Sequence, residues 1–225
     1  MRLFFRTFLI LALLLAGALL SACSGRDAGT TWTVQTSGTS YGLWGVAYGN
    51  GKFVAVGDKG TILTSEDGIN WTPQNSGMSY ALFGITYGNG KFVAVGSWGI
   101  ILTSTDGINW TPQNSGMSYA LALNDITYGN GKFVAVGGHI LFPEFGSIIL
   151  TSEDGINWTP QNSGTSYTLF GITYGNGKFV AVGAGGTILT STDGVSWALR
   201  TSGTSNNLFG ITYGNGKFVA VGAGG

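Results

Sequence analysis

Apolar residues are distributed along this chain in two ways. Residues 8–20 form one unbroken apolar run with no charge. From residue 32 onward the apolar runs are short and are broken by Gly, Asn and Asp. Residues 80–113 show the pattern. Leu82-Phe83-Gly84-Ile85-Thr86-Tyr87 is rich in β-formers, and Gly88-Asn89-Gly90 follows it. Asn-Gly is a strong hairpin signal because both residues tolerate positive φ. Lys91-Phe92-Val93-Ala94-Val95 reads as a second strand, Ser97-Trp98-Gly99 as a loop and Ile100-Ile101-Leu102-Thr103-Ser104 as a third strand. Asp106-Gly107 turns the chain into a fourth, Asn109-Trp110-Thr111-Pro112-Gln113, whose proline suits an edge position. No segment has helical periodicity.

The pattern repeats. Trp32, Trp71, Trp110, Trp158 and Trp197 are spaced by 39, 39, 48 and 39 residues, the signature of a repeat architecture. Full units fall at residues 41–74, 80–113, 119–161 and 167–200. A lone fourth strand lies at 32–36, and a first and second strand at 207–222. The second strand is apolar on both faces, with Phe92 and Ala94 on one and Val93 and Val95 on the other. A sheet packed between two neighbours needs that, and four-stranded sheets repeated radially provide it. The expected fold is all-β, a β-propeller of four-stranded antiparallel blades with about five blades, the last incomplete. The expected closure has the strand at 33–36 sliding inward to pair with 217–221 as a three-stranded fifth blade, because open sheet edges are a liability.

Composition narrows the function classes. Forty glycines follow the long repeat and not a three-residue one, and only 9% of residues are charged. Removing Arg2 and Arg6 with a leader leaves eight basic residues against ten acidic, with no basic stripe, so nucleic acid is not an expected partner. The single histidine, His139, leaves no multi-histidine metal site, and neither a metal nor a cofactor is expected.

The N-terminus reads as an address. Arg2 and Arg6 precede the apolar run, which is short for a membrane-spanning helix. It ends in Leu20-Ser21-Ala22-Cys23, whose cysteine is the only one in the chain. This resembles the lipobox of bacterial lipoproteins. The resemblance implies a signal peptide at 1–22, lipidation of Cys23, a lipidated tether at 23–31 and a propeller domain at 32–225. Ser24 after the cysteine implies the outer membrane of the cell envelope. The implied partners are the membrane, through the anchor, and an envelope protein or glycan.

Four turns carry Ser-x-Asp-Gly-x-x-Trp, with Asp67 and Trp71, Asp106 and Trp110, Asp154 and Trp158, and Asp193 and Trp197. They resemble Asp-box (BNR) repeats, although the usual box has one residue between Asp and Gly. The resemblance implies a structural hairpin between third and fourth strands, with the tryptophans buried between blades. One carboxylate per turn falls short of a calcium site. Asp boxes are common in sialidases, yet three arginines for the substrate carboxylate are not available: beyond the leader the chain has only Arg26 and Arg200. Photosystem II assembly-factor propellers also look similar, but rely on a basic patch that this chain lacks. A glycosidase needs two carboxylates across one cleft. Asp125 and Glu144 are the only pair worth considering, and no enzyme is expected.

Repeats within one chain can be compared directly. Residues 84–96, 171–183 and 210–222 are identical. Differences gather in the loops between second and third strands and at the start of the third unit, where Asn124 and Asp125 stand in a two-residue insertion. In a meander these loops and the inter-unit connectors share one rim. Trp98, Asn124, Asp125, His139, Phe142, Glu144 and Phe145 are the candidate protein-binding face there, or Phe142 and Phe145 plug the channel. Tyr41, Tyr80, Tyr119 and Tyr167 recur in the connectors as alternative sugar pockets.

Overall fold

The computed structural model describes residues 21–24, 31–117, 121–139 and 146–224. Two strands come first, β1 (Ser21–Ser24) and β2 (Thr33–Thr36). The first blade holds β3 (Leu43–Gly49), β4 (Lys52–Gly57), β5 (Ile62–Ser65) and β6 (Thr72–Gln74). The second holds β7 (Leu82–Gly88), β8 (Lys91–Gly96), β9 (Ile101–Ser104) and β10 (Thr111–Gln113). The third holds β11 (Leu121–Gly129), β12 (Lys132–His139), β13 (Ser147–Ser152) and β14 (Thr159–Gln161). The fourth holds β15 (Leu169–Gly175), β16 (Lys178–Gly183), β17 (Ile188–Ser191) and β18 (Ala198–Arg200). A two-stranded half-blade, β19 (Leu208–Gly214) and β20 (Lys217–Gly222), follows.

Every blade is an antiparallel meander joined by tight turns. Asn50, Asn89, Asn130, Asn176 and Asn215 all take positive φ at the first hairpin, each followed by a positive-φ glycine. First strands stack side by side, β3 on β7, β7 on β11, β11 on β15 and β15 on β19. The core is therefore a series of layers between blades. Val54, Val56 and Ile62 of the first blade meet Leu82, Ile85, Phe92, Ala94 and Leu102 of the second. The opposite face of β8 gives Val93 and Val95 to the next layer, with Leu123, Ile126 and Phe133. This is why the second strand of each unit is apolar on both faces.

One stacking feature recurs. A Cβ built on Gly49 would lie 2.1 Å from the Tyr87 ring, and Gly88 stands in the same relation to Tyr128, Gly129 to Tyr174 and Gly175, at 2.2 Å, to Tyr213. Each first strand thus ends in a hole that takes the tyrosine of the next blade.

The expected closure is not formed. β2 pairs with β1 and not with β20. The register explains the difference. Ala22 faces Gln35 as Ile62 faces Gln74 in the first blade, so β1 occupies the third-strand place beside β2. The fifth blade has two strands and not three, and β3 shows no packing against β19 comparable to that between internal neighbours.

Candidate functional site

The Asn-Gly turns and the Asp turns share one rim of the molecule. In the first Asp turn, Asp67 Oδ1 accepts the backbone N–H groups of Ile69 and Asn70, both at 2.8 Å, and Oδ2 accepts Asn70 Nδ2 at 2.8 Å. Ser65 Oγ donates to the same carboxylate and accepts the Gly68 N–H. Asp106 and Asp154 repeat this, and Asp193 does so without the amide, because Ser196 replaces Asn. These backbone donors hold Asp67, Asp106 and Asp154 well below the usual carboxylate range and bring Asp193 down to about 2.

Three Asn-Gly turns also clasp the Asp turn of the next blade. Asn50 Nδ2 donates to the Thr105 carbonyl, Asn89 to that of Glu153 and Asn130 to that of Thr192. Trp71, Trp110, Trp158 and Trp197 are half-buried, and Trp110, Trp158 and Trp197 pack against the apolar layers between blades. Each indole N–H returns to the carbonyl of its own turn glycine, which holds the ring at the sheet margin. This rim also exposes Ile69, Ile108, Ile156 and Val195, one per blade, which repeat comparison passed over because they do not vary in character.

Trp32 does not stand alone in the sequence. Asp27-Ala28-Gly29-Thr30-Thr31-Trp32 has the one-residue spacing of the usual Asp box. Residues 25–30 lie outside the described residues.

The opposite rim is built from the loops between second and third strands and the inter-blade connectors. Lys59, Trp98 and Gly185 sit at equivalent loop centres, all with positive φ (53°, 61° and 61°). Each lies against the connector tyrosine of its own blade. Lys59 Nζ is 5.2 Å from the centre of the Tyr41 ring. Tyr80 and Trp98 meet edge to face at 6.1 Å. A Cβ on Gly185 would touch the Tyr167 ring at 3.4 Å. In the first, second and fourth blades the same tyrosine therefore carries a different cover. A left-handed conformation costs a non-glycine residue about 1–2 kcal/mol, which Lys59 and Trp98 tolerate here. Lys59 was not among the sequence candidates, since nothing in the chain marks it as facing Tyr41.

At the fourth blade the bare tyrosine opens on a cavity of about 370 Å³. Tyr167, Gly185, Leu199, Arg200, Ser202 and Thr204 line it. Arg200 Nε donates to Thr190 Oγ1 at 2.9 Å.

Asn124 and Asp125 lie in a seam. Asp125 takes the place that Gly84 and Gly171 hold in other units, beside the β-bulge of β11. Its Oδ2 accepts the Ile172 N–H at 2.9 Å and Oδ1 that of Ile126, while Asn124 Nδ2 donates to the Leu169 carbonyl. The third blade is thus braced to the fourth. Burial pushes Asp125 up to about 6 against these two backbone bonds. A group with a raised folded pKa contributes stability that is full below its unfolded value and lost as pH rises. The stability difference between wild type and Asp125→Asn should therefore shift against wild type from about pH 4 to 6 and stay flat above, in urea titrations at stepped pH.

His139 ends β12, paired with Leu121, and the base of the insertion is pinned by the Gly146 N–H donating to the Ser166 carbonyl. Tyr119, Phe142, Glu144 and Phe145 lie outside the described residues. Among the described residues no cluster of His, Cys, Asp and Glu could hold a metal ion.

No family model and no curated protein matches the sequence. Solved structures do. YCF48 bound to D1 peptide is similar at 19% identity and a TM-score of 0.61, over 82% of this chain and 62% of that one. The WD40 β-propeller domain of Doa1 is similar at 12% identity and 0.59, over 90% and 64%. A GH32 β-fructofuranosidase from Bombyx mori is similar at 14% identity and 0.51, over 82% and 55%. The chain has the β-propeller fold and spans less than two thirds of each of these three chains.

Proposed function

We propose that this chain is a non-catalytic protein-binding propeller that recognises its partner on the rim of tyrosines and blade-specific covers. The observation that carries this reading is the Tyr80–Trp98 pair beside its counterparts Tyr41–Lys59 and Tyr167–Gly185. A rigid scaffold holds a constant aromatic base, and one residue per blade changes what a partner meets. Trp98 is 42% exposed despite its contact with Tyr80, so it offers ring surface to a partner. A similar propeller, YCF48, was solved bound to a D1 peptide, which supports peptide recognition as a use of this fold. Catalysis finds no support at Asp125, whose two oxygens are engaged by backbone N–H groups. Panning a random peptide display library should enrich peptides that bind wild type at least tenfold better than Trp98→Gly. Equal retention by both proteins would reject the rim as the site.

A sugar-binding reading has one observation of its own. At Tyr167 the ring face lies open beside Ser202, Thr204 and Arg200, an arrangement suited to stacking on a sugar ring with an acidic group.

The address is part of the proposal. Cys23, in a lipobox-like context, would carry the lipid that tethers the propeller to the cell envelope, at the outer membrane. Two or more acyl chains suffice for stable attachment. Wild type expressed in a bacterium should enter the detergent phase on phase partition and Cys23→Ser should not; wild type in the aqueous phase would contradict lipidation.

A further inference from the structure

The two ends of the blade series are complementary. At one end, Trp44, Val46 and Tyr48 of β3 are 45%, 62% and 60% exposed, whereas the residues matching Val46 inside the series, Ile85, Ile126 and Ile172, are buried. At the other end, Val219 and Val221 of β20 are 53% and 57% exposed, although the matching Val93, Val95, Val134 and Val136 are fully buried. The glycine holes and tyrosine knobs show the same imbalance. Four holes are filled, but a Cβ on Gly214 would meet nothing within 4 Å, and Tyr48 has no hole. The clasps agree. Asn50, Asn89 and Asn130 each hold the Asp turn of the next blade, while Asn215 has no such bond among the described residues.

We propose that copies of this chain associate head to tail, the β3 face of one copy seating on the β19–β20 face of the next. The interface would repeat the one formed between β3 and β7, β7 and β11, β11 and β15, and β15 and β19. Tyr48 of the next copy enters the hole at Gly214, and Asn215 clasps the Asp67 turn of that copy. Such an interface is heterologous, giving a ring where the rotation closes and a filament where it does not.

Light scattering and sedimentation of the full chain in mild detergent test this. The apolar segment at residues 8–20 is common to all variants, so its effect is constant. Wild type should exceed the monomer mass and grow with concentration. A Cβ at Gly214 meets no neighbour in its own chain, so Gly214→Val should give a folded monomer that melts as dilute, dissociated wild type does, and Tyr48→Ala should also be monomeric. Mixing these two variants should restore a species of two copies and no larger, since each retains one intact face. A monomeric wild type, or association that survives Gly214→Val, would overturn the proposal.

Discussion

Phe133→Ala should cost about 3–5 kcal/mol, while the same change at Phe218 should cost less than half as much. Both residues stand in the same Lys-Phe-Val-Ala-Val-Gly strand sequence, in β12 and β20. Phe133 is fully buried, 4.7 Å from Tyr128 and 6.5 Å from Trp158 between ring centres. Truncation removes its transfer energy and leaves a cavity closed by β-sheet on both sides, which has little freedom to collapse. Phe218 keeps its contact with Tyr213 at 4.8 Å but is only half-buried, because no blade covers the far side of β20. Denaturant titration of both variants reads the difference. Equal losses would mean that the fifth half-blade is packed as tightly as the third blade.

Gly129→Ala should be as damaging as a large core truncation, although it adds one methyl group. The new Cβ would lie 2.1 Å from Tyr174 Cγ and 2.4 Å from Cδ1. Cγ moves only by rotation about χ1, and that rotation would carry the whole Tyr174 ring out of the layer between β11 and β15. The stacked strands must separate or the tyrosine must leave the layer. Overpacking commonly costs about 1–3 kcal/mol, and a rigid backbone contact of this kind belongs at or above the upper end. Gly214→Ala is the matched control in the half-blade: compared at a concentration where both proteins are monomeric, it should be within about 0.5 kcal/mol of wild type, because its Cβ meets nothing in its own chain. A mild effect at Gly129 would show that the glycine–tyrosine contact is looser than the blade geometry demands.

The sequence revealed the blades because local chemistry repeats. Asn89-Gly90 and Asp106-Gly107 each demand one backbone conformation, and the doubly apolar second strand demands cover on both faces. These elements form where the pattern placed them. The closure was misjudged because it depends on pairing between distant segments, for which β2 carries no mark. Ser21-Ala22-Cys23-Ser24 was read only as an address, yet its backbone occupies a third-strand place beside β2. The proposed recognition rim is half legible in the sequence. Trp98 and the tyrosines stood out by repeat comparison, but Lys59 gained meaning only when the fold set it over Tyr41. Asn124 and Asp125 were read as part of that rim because they vary, whereas their variation serves a brace between two blades.

The proposed recognition surface is the rim that carries Tyr41, Tyr80 and Tyr167, and not the Asp-turn rim with its row of exposed Ile69, Ile108 and Ile156. The most direct measurement compares two variants against a peptide selected by wild type. One replaces Tyr80 by Ser and Trp98 by Gly; the other replaces the three isoleucines by Ser. Fluorescence anisotropy should show at least a tenfold loss of affinity for the first and wild-type affinity for the second. Loss of binding in the isoleucine variant, with the tyrosine–tryptophan variant unaffected, would contradict it.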